Sequence, residues 1–136
     1  EGLINFDTNL SIMQIKDAKF STWFTEGFEF IDCEISNSLI HKCDFYGCLI
    51  NSCEIHESNL YYNCIVNDTK LKNCYANQTA EVNNSYVFGK SGVFNGKMVN
   101  GIFREGKISD LARISKSTEV IEYEEIKPIQ SKNKIG

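Results

Sequence analysis

Six cysteines, two histidines and a set of closely spaced carboxylates are the residues of this sequence best suited to chemistry. The cysteines are Cys33, Cys43, Cys48, Cys53, Cys64 and Cys74. Zinc sites draw thiolates from closely spaced Cys pairs, and no CxxC pair is present; Cys43, Cys48 and Cys53 are instead five residues apart. A cysteine nucleophile needs a base beside it, and His41 and His56 each follow an apolar residue with no thiol on the same outward face. Glu29, Asp32, Glu34 and Glu54 are close enough in sequence to gather, with Glu34 and Glu54 stacked on one side. Such carboxylates do acid–base work or imitate a phosphate stripe, but Lys42, Lys70, Lys72, Lys97 and Arg104 interrupt any single-sign stripe. Asn67-Asp68-Thr69, Asn77-Gln78-Thr79 and Asn83-Asn84-Ser85 match glycosylation acceptors, yet outward Asn also suits turns and ladders. No phosphate-cradling loop, nucleophile elbow or metal-binding helix motif occurs. The expectation is therefore no catalytic site, no cofactor and no metal, and a protein that is not an enzyme.

What positions these residues is a period of five. It starts at Leu10 and runs Ile15, Phe20, Thr25, Phe30, Ile35, Ile40, Phe45, Ile50, Ile55, Leu60. After one extra residue it continues at Val66, Leu71 and Ala76, after a second at Val82 and Val87, and after a third at Val93, Met98, Phe103 and Ile108. Only Thr25 among these centres is polar. Two residues before each centre, from Cys33 to Gly106, the side chain is always small, and all six cysteines fall on this site. Five matches neither a helix nor a flat strand. It matches very short strands, each followed by a turn, with one large and one small residue pointing inward per pentad.

The residues two after every fourth centre are Gly27, Gly47, Asp68, Gly89 and Asp110. Gly and Asp tolerate turn conformations, so a column of them every four pentads predicts four sides and about five coils. At about 4.8 Å per coil the rod would be roughly 24 Å long. On this reading Cys33 and Cys53 share a side and the two histidines lie on different sides.

The stretch FIDCEISNSLIHKCDFYGCLINSCEIHESNL, residues 30–60, resembles the pentapeptide-repeat family, and more loosely so do residues 8–110. That family favours Asn or Asp before the centre, where this sequence has Glu34, Leu39, Asp44, Leu49, Glu54 and Asn59, a partial match. The resemblance implies a right-handed quadrilateral β-helix. Some members are thought to bind type II topoisomerases by imitating DNA. The segment SGVFNGKMVNGIFREGK looks instead like the Gly-x-aromatic pentads of tailed-phage virion proteins.

The expected organisation is an all-β, right-handed parallel β-helix with terminal caps: an N-terminal cap at 1–7, the solenoid at 8–110, and a C-terminal cap and tail at 111–136. In the last segment Val120, Ile121, Tyr123 and Ile126 are expected to cover the final coil, because an open solenoid end exposes strand edges. The 136 residues fit one domain. A net charge of −4 disfavours direct nucleic-acid binding, and no run of apolar residues is long enough to span a membrane. No leader precedes the repeats and the first residue is Glu1, so a fragment or processed product is expected. Six unpaired inward thiols imply assembly in a reducing cytosol.

The outward apolar residues point to function. Phe24, Tyr46, Ile65, Tyr86 and Phe88 are expected on one side of the rod, and Leu39, Tyr61, Tyr62 and Ile102 on the preceding one. Large exposed apolar patches mark protein interfaces, and aromatics dominate them. The expectation is a structural, protein-interaction solenoid, in a homo-oligomer or larger assembly and in particular a phage virion. The alternative is an acidic mimic that inhibits or protects a DNA enzyme.

Overall fold

The computed structural model describes residues 13–21 and 24–127. Every described strand is two to four residues long and pairs in parallel with strands one coil away. The strands form three faces. Face 1 contains Met13–Lys16, Phe28–Ile31, Asp44–Tyr46, Asn59–Tyr61, Tyr75–Ala76, Val93–Phe94, Lys107–Ser109 and Glu124–Ile126. Face 2 contains Lys19–Ser21, Glu34–Ser36, Leu49–Asn51, Ile65–Asn67, Glu81–Asn83, Lys97–Val99 and Arg113–Ile114. Face 3 contains Phe24–Glu26, Leu39–His41, Glu54–His56, Lys70–Lys72, Tyr86–Phe88, Ile102–Arg104 and Glu119–Ile121.

The chain is thus an all-β parallel solenoid built on pentads, as expected, but with three sides rather than four and about seven turns rather than five. In-register partners lie 15 residues apart in the first coils, as in Ile35↔Ile50, and mostly 16 apart later, as in Val66↔Val82. Three pentads close one turn. Seven turns at about 4.8 Å make a rod roughly 34 Å long.

The turn residues explain the miscount. The backbone enters the left-handed region two residues after nearly every described centre, not after every fourth: Asp32, Asn37, Lys42, Gly47, Ser52 and Glu57 follow in unbroken succession with φ between 51° and 67°. Glycine is used at some corners, while Asn, Asp, Ser, Lys and Glu occupy others at a modest cost. Most corner amides reach a carbonyl of the next coil, as in Asp32 N–H to Tyr46 O at 2.8 Å and Lys42 N–H to His56 O at 3.0 Å, while Asn63 N–H and Asn100 N–H reach the Thr79 and Ser115 hydroxyls.

Inside, the centres stack into three apolar columns. Ile15, Phe30, Phe45 and Leu60 fill the column of face 1; Ile35, Ile50, Val66, Val82 and Met98 that of face 2; Ile40, Ile55, Leu71, Val87 and Phe103 that of face 3, all buried. Phe30 and Phe45 stack with centroids 5.3 Å apart. Thr25 is buried among these centres with its hydroxyl unpaired. The small site has its own chemistry. The Ser58, Thr69 and Ser85 hydroxyls donate to the carbonyl two residues back and accept the N–H of Cys43, Cys53 and Thr69 from the preceding coil, at 3.0 to 3.2 Å. Small polar residues are retained there because they tie one coil to the next.

Two further expectations are corrected. The third extra residue falls one place differently: Phe94, not Val93, is the inward centre, with Gly92 rather than Ser91 on the small site. Residues 113–126 do not fold over the last coil. They continue it, since Arg113–Ile114, Glu119–Ile121 and Glu124–Ile126 pair in register with the coil before. The apolar axis closes there because the centre paired to Ile108 is Glu125, which is exposed. The expected cap at 1–7 and the tail beyond Lys127 lie outside the described residues.

Candidate interaction faces

Closing a turn with three pentads decides which side chains meet. Cys33, Cys48 and Cys64 form one inward column, one per coil, rather than Cys33 with Cys53. All six thiols are free and buried, and each donates to backbone carbonyls, as Cys64 Sγ–H does to Tyr61 O at 3.1 Å. Burial pushes Cys43, Cys53 and Cys64 above the ordinary thiol range and Cys74 up to about 12. The Cys48–Cys33 hydrogen bond lowers Cys33 and raises Cys48, while burial raises both. No described cationic side chain lies on the apolar axis to compensate a desolvated thiolate, and burial keeps all six thiols from reagents in solvent. Titration with a chromogenic disulfide should therefore find six thiols in denaturant and almost none reacting within minutes in the native protein. Rapid native reaction of two or more would overturn the inward assignment.

The histidines, expected on different sides, lie in register on face 3, edge to face with ring centroids 6.0 Å apart. His41 lies 3.8 Å from Glu26 and 3.6 Å from Glu57, and His56 lies 2.9 Å from Glu54. No nucleophile adjoins them, and among the described residues no group of His, Cys, Asp and Glu is arranged to hold a metal ion. Glu34 and Glu54, expected on one side, are separated. Glu34 lies on face 2, 3.7 Å from Lys19, and Glu54 on face 3. Asn51, Asn67 and Asn83 make an amide ladder on face 2, with Nδ2 to Oδ1 distances of 2.9 and 3.0 Å.

The outward apolar residues are dispersed by the same geometry. Phe24, Leu39, Tyr86 and Phe88 stand on face 3, together with Ile102; Tyr46 and Tyr61 stand on face 1, with Tyr62 at its corner; Ile65 stands on face 2. The five residues expected on one side thus occupy three. Tyr86 and Phe88 stack at 4.4 Å on face 3, but face 1 gathers the larger cluster. Tyr46 and Tyr61 stack at 5.1 Å, Tyr62 leans on Tyr46 at 5.8 Å, and Tyr75, which the pentad reading did not single out, packs on Tyr61 at 5.9 Å. Its signal was present: Tyr75 directly precedes the centre Ala76, at the outward position one coil after Asn59. Tyr62 is 61% exposed. Beside them Asn59 Nδ2 donates to Asp44 Oδ1 at 2.8 Å, and Gln14 Nε2 to Glu29 Oε1 at 2.7 Å. Burial, then Glu29 and Asp44 nearby, raise the Tyr46 phenol, so it remains a hydrogen-bond donor.

No family model matches this chain, and no curated protein does. Solved structures similar to it include a pentapeptide repeat protein, Rfr23, from the cyanobacterium Cyanothece 51142, at 14% identity over 78% of this chain and 86% of that one, with a TM-score of 0.30. Another is a trypsin-treated form of QnrB1, a plasmid-mediated fluoroquinolone resistance protein, at 11% identity over 83% of this chain and 84% of that one, with a TM-score of 0.27. By its own backbone the chain is a pentapeptide-repeat-like parallel β-helix with three faces.

Proposed function

We propose that this protein is a non-enzymatic interaction rod: a rigid solenoid whose partners are proteins docking along its sides. The observation that supports this reading is the packed tyrosine cluster Tyr46, Tyr61, Tyr62 and Tyr75 on face 1. Tyrosines that hold one another in place offer contact area with little entropy left to lose, which is the composition of interface hot spots. The finer assignment, a component of a tailed-phage particle assembled in a reducing cytosol, rests on the Gly-spaced pentads from Ser91 to Lys107 and on the thiols. A second reading draws on Glu29, Asp32 and Asp44 gathered beside the tyrosines: an acidic surface offered to a DNA enzyme.

A photo-reactive amino acid at position 62, compared with one at Asn67 on the amide ladder, tests the proposal inside the source cell. Covalent adducts to protein from position 62 and none from 67 are expected, with structural proteins of the particle among them. No adduct from either position sinks the proposal. Loss of the adduct with Glu29→Gln plus Asp44→Asn, or with added salt, moves the choice to the acidic mimic.

A further inference from the structure

Over six of its seven described rungs, face 3 carries two outward columns whose order along the rod is self-complementary. The first column reads Phe24, Leu39, Glu54, Lys70, Tyr86, Ile102 in six successive in-register rungs, with Glu119 of the seventh rung beyond them. Within these six rungs two apolar residues stand at each end, with opposite charges in the middle. The second column begins at Glu26, reaches Arg104 in the sixth rung and continues to Ile121 in the seventh. Phe24 is 64% exposed, Leu39 40% and Ile102 39%, so both ends of the strip are open to solvent.

We propose that this strip is the contact between two copies of the chain, related by a two-fold axis parallel to the strands and passing between the Glu54 and Lys70 rungs. Such an axis reverses the order of rungs and preserves position along each strand. Phe24 then faces Ile102 of the second copy, Leu39 faces Tyr86, and Glu54 faces Lys70. In the second column Glu26 faces Arg104. Each contact occurs twice, as an isologous interface requires. The charges match as well as the apolar ends. Lys70 has no carboxylate within 4 Å among the described residues, and Glu54 meets only His56. A face-to-face contact gives that lysine two flanking acids, its own Glu54 and the other copy's. The remaining pairs, His41 with Phe88 and His56 with Lys72, bring no like carboxylates together. Six rungs span about 29 Å, and with side-chain relief the contact buries roughly 1,000 Å² in all, the low end for a specific interface. The dimer is accordingly a weak one.

This inference rests on the reading of the chain as an interaction rod but uses a different face, so the two fail separately. Sedimentation equilibrium of the full chain should show a concentration-dependent monomer–dimer equilibrium. Glu54→Lys alone places four lysines at the centre, and Lys70→Glu alone places four glutamates. Each should weaken self-association at least tenfold, with circular dichroism confirming the fold. Mixing the two variants restores both opposite-charge contacts, so the mixture should dimerise like the parent. A parent that stays monomeric at the highest soluble concentration overturns the proposal. So does a dimer indifferent to both charge changes, or a mixture that fails to associate. If these fail while position 62 still crosslinks, the homodimer falls and the interaction rod stands; if both fail, both fall.

Discussion

Ile50→Asp is expected to abolish folding. Ile50 is fully buried at the centre of face 2, between Ile35 and Val66 in the coils on either side. The substitution removes a large aliphatic side chain and leaves a carboxylate on an axis lined by Ile, Leu, Val and Phe, with no described cation in reach. Loss of the buried side chain costs about 3 kcal/mol, and an unpaired charge adds several more or forces the carboxyl to stay protonated. A single domain is stable by about 5–15 kcal/mol, so little or nothing remains. The solenoid gives no refuge, because each coil is held only by its neighbours and a break in the middle separates two halves. The sign with pH follows. Burial raises the folded-state pKa of the new carboxyl above its unfolded value, so whatever stability survives is greatest at acid pH and falls as the pH rises. Far-UV circular dichroism and a thermal melt decide it. A variant melting within a few degrees of the parent would place residue 50 on the surface and dismantle the inward assignment of every centre.

That assignment was legible because a pentad is a local object. Its large and small inward residues and its corner are set by neighbours in sequence, and the sequence repeats them. The number of pentads per turn is set by the corner angle, which side-chain type does not record. Gly27, Gly47 and Gly89 marked three corners of many, and the left-handed backbone at Lys42, Ser52 and Glu57 shows that other residues accept the same geometry. A truer signal of coil length lay in like residues that ladder: Cys33, Cys48 and Cys64, His41 and His56, Asn51, Asn67 and Asn83. These recur at 15 or 16 residues because identical side chains stack well from coil to coil, as the amide ladder does through its hydrogen bonds. The outward aromatics were recognised one by one, but their grouping into faces depended on the side count. Tyr46 and Tyr86, expected together, therefore stand on different faces, and Tyr75 went unnoticed beside Tyr61.

Gly96→Val is the second large effect expected, and it bears on what the glycine-spaced pentads mean. Gly96 occupies the small inward site before Met98 and is buried. A Cβ built there would lie 2.6 Å from the Ala80 carbonyl oxygen and 2.9 Å from that of Asn77, both backbone atoms of the preceding coil. The Ala80 oxygen is already committed, accepting the Lys97 N–H at 2.9 Å, and the Asn77 oxygen accepts the Ala80 N–H at 3.0 Å. The first cannot retreat without breaking the ladder between coils, nor the second without opening the turn at residues 77–80. Valine should cost about 3–5 kcal/mol, counting steric strain and disrupted hydrogen bonds, and alanine somewhat less. Gly27→Ala is the control. There the left-handed φ of 82° costs only about 1–2 kcal/mol, since nothing lies within 4 Å of the added carbon. Thermal melts should therefore rank Gly96→Val below Gly96→Ala, and both below Gly27→Ala. If the Gly96 variants melt with the parent, the corner has room and the run of glycines calls for another explanation, such as close approach of a partner. If the ranking holds, Gly96 is a requirement of the coil itself, and a Gly-aromatic texture marks tight corners in a solenoid before it marks membership of any particle.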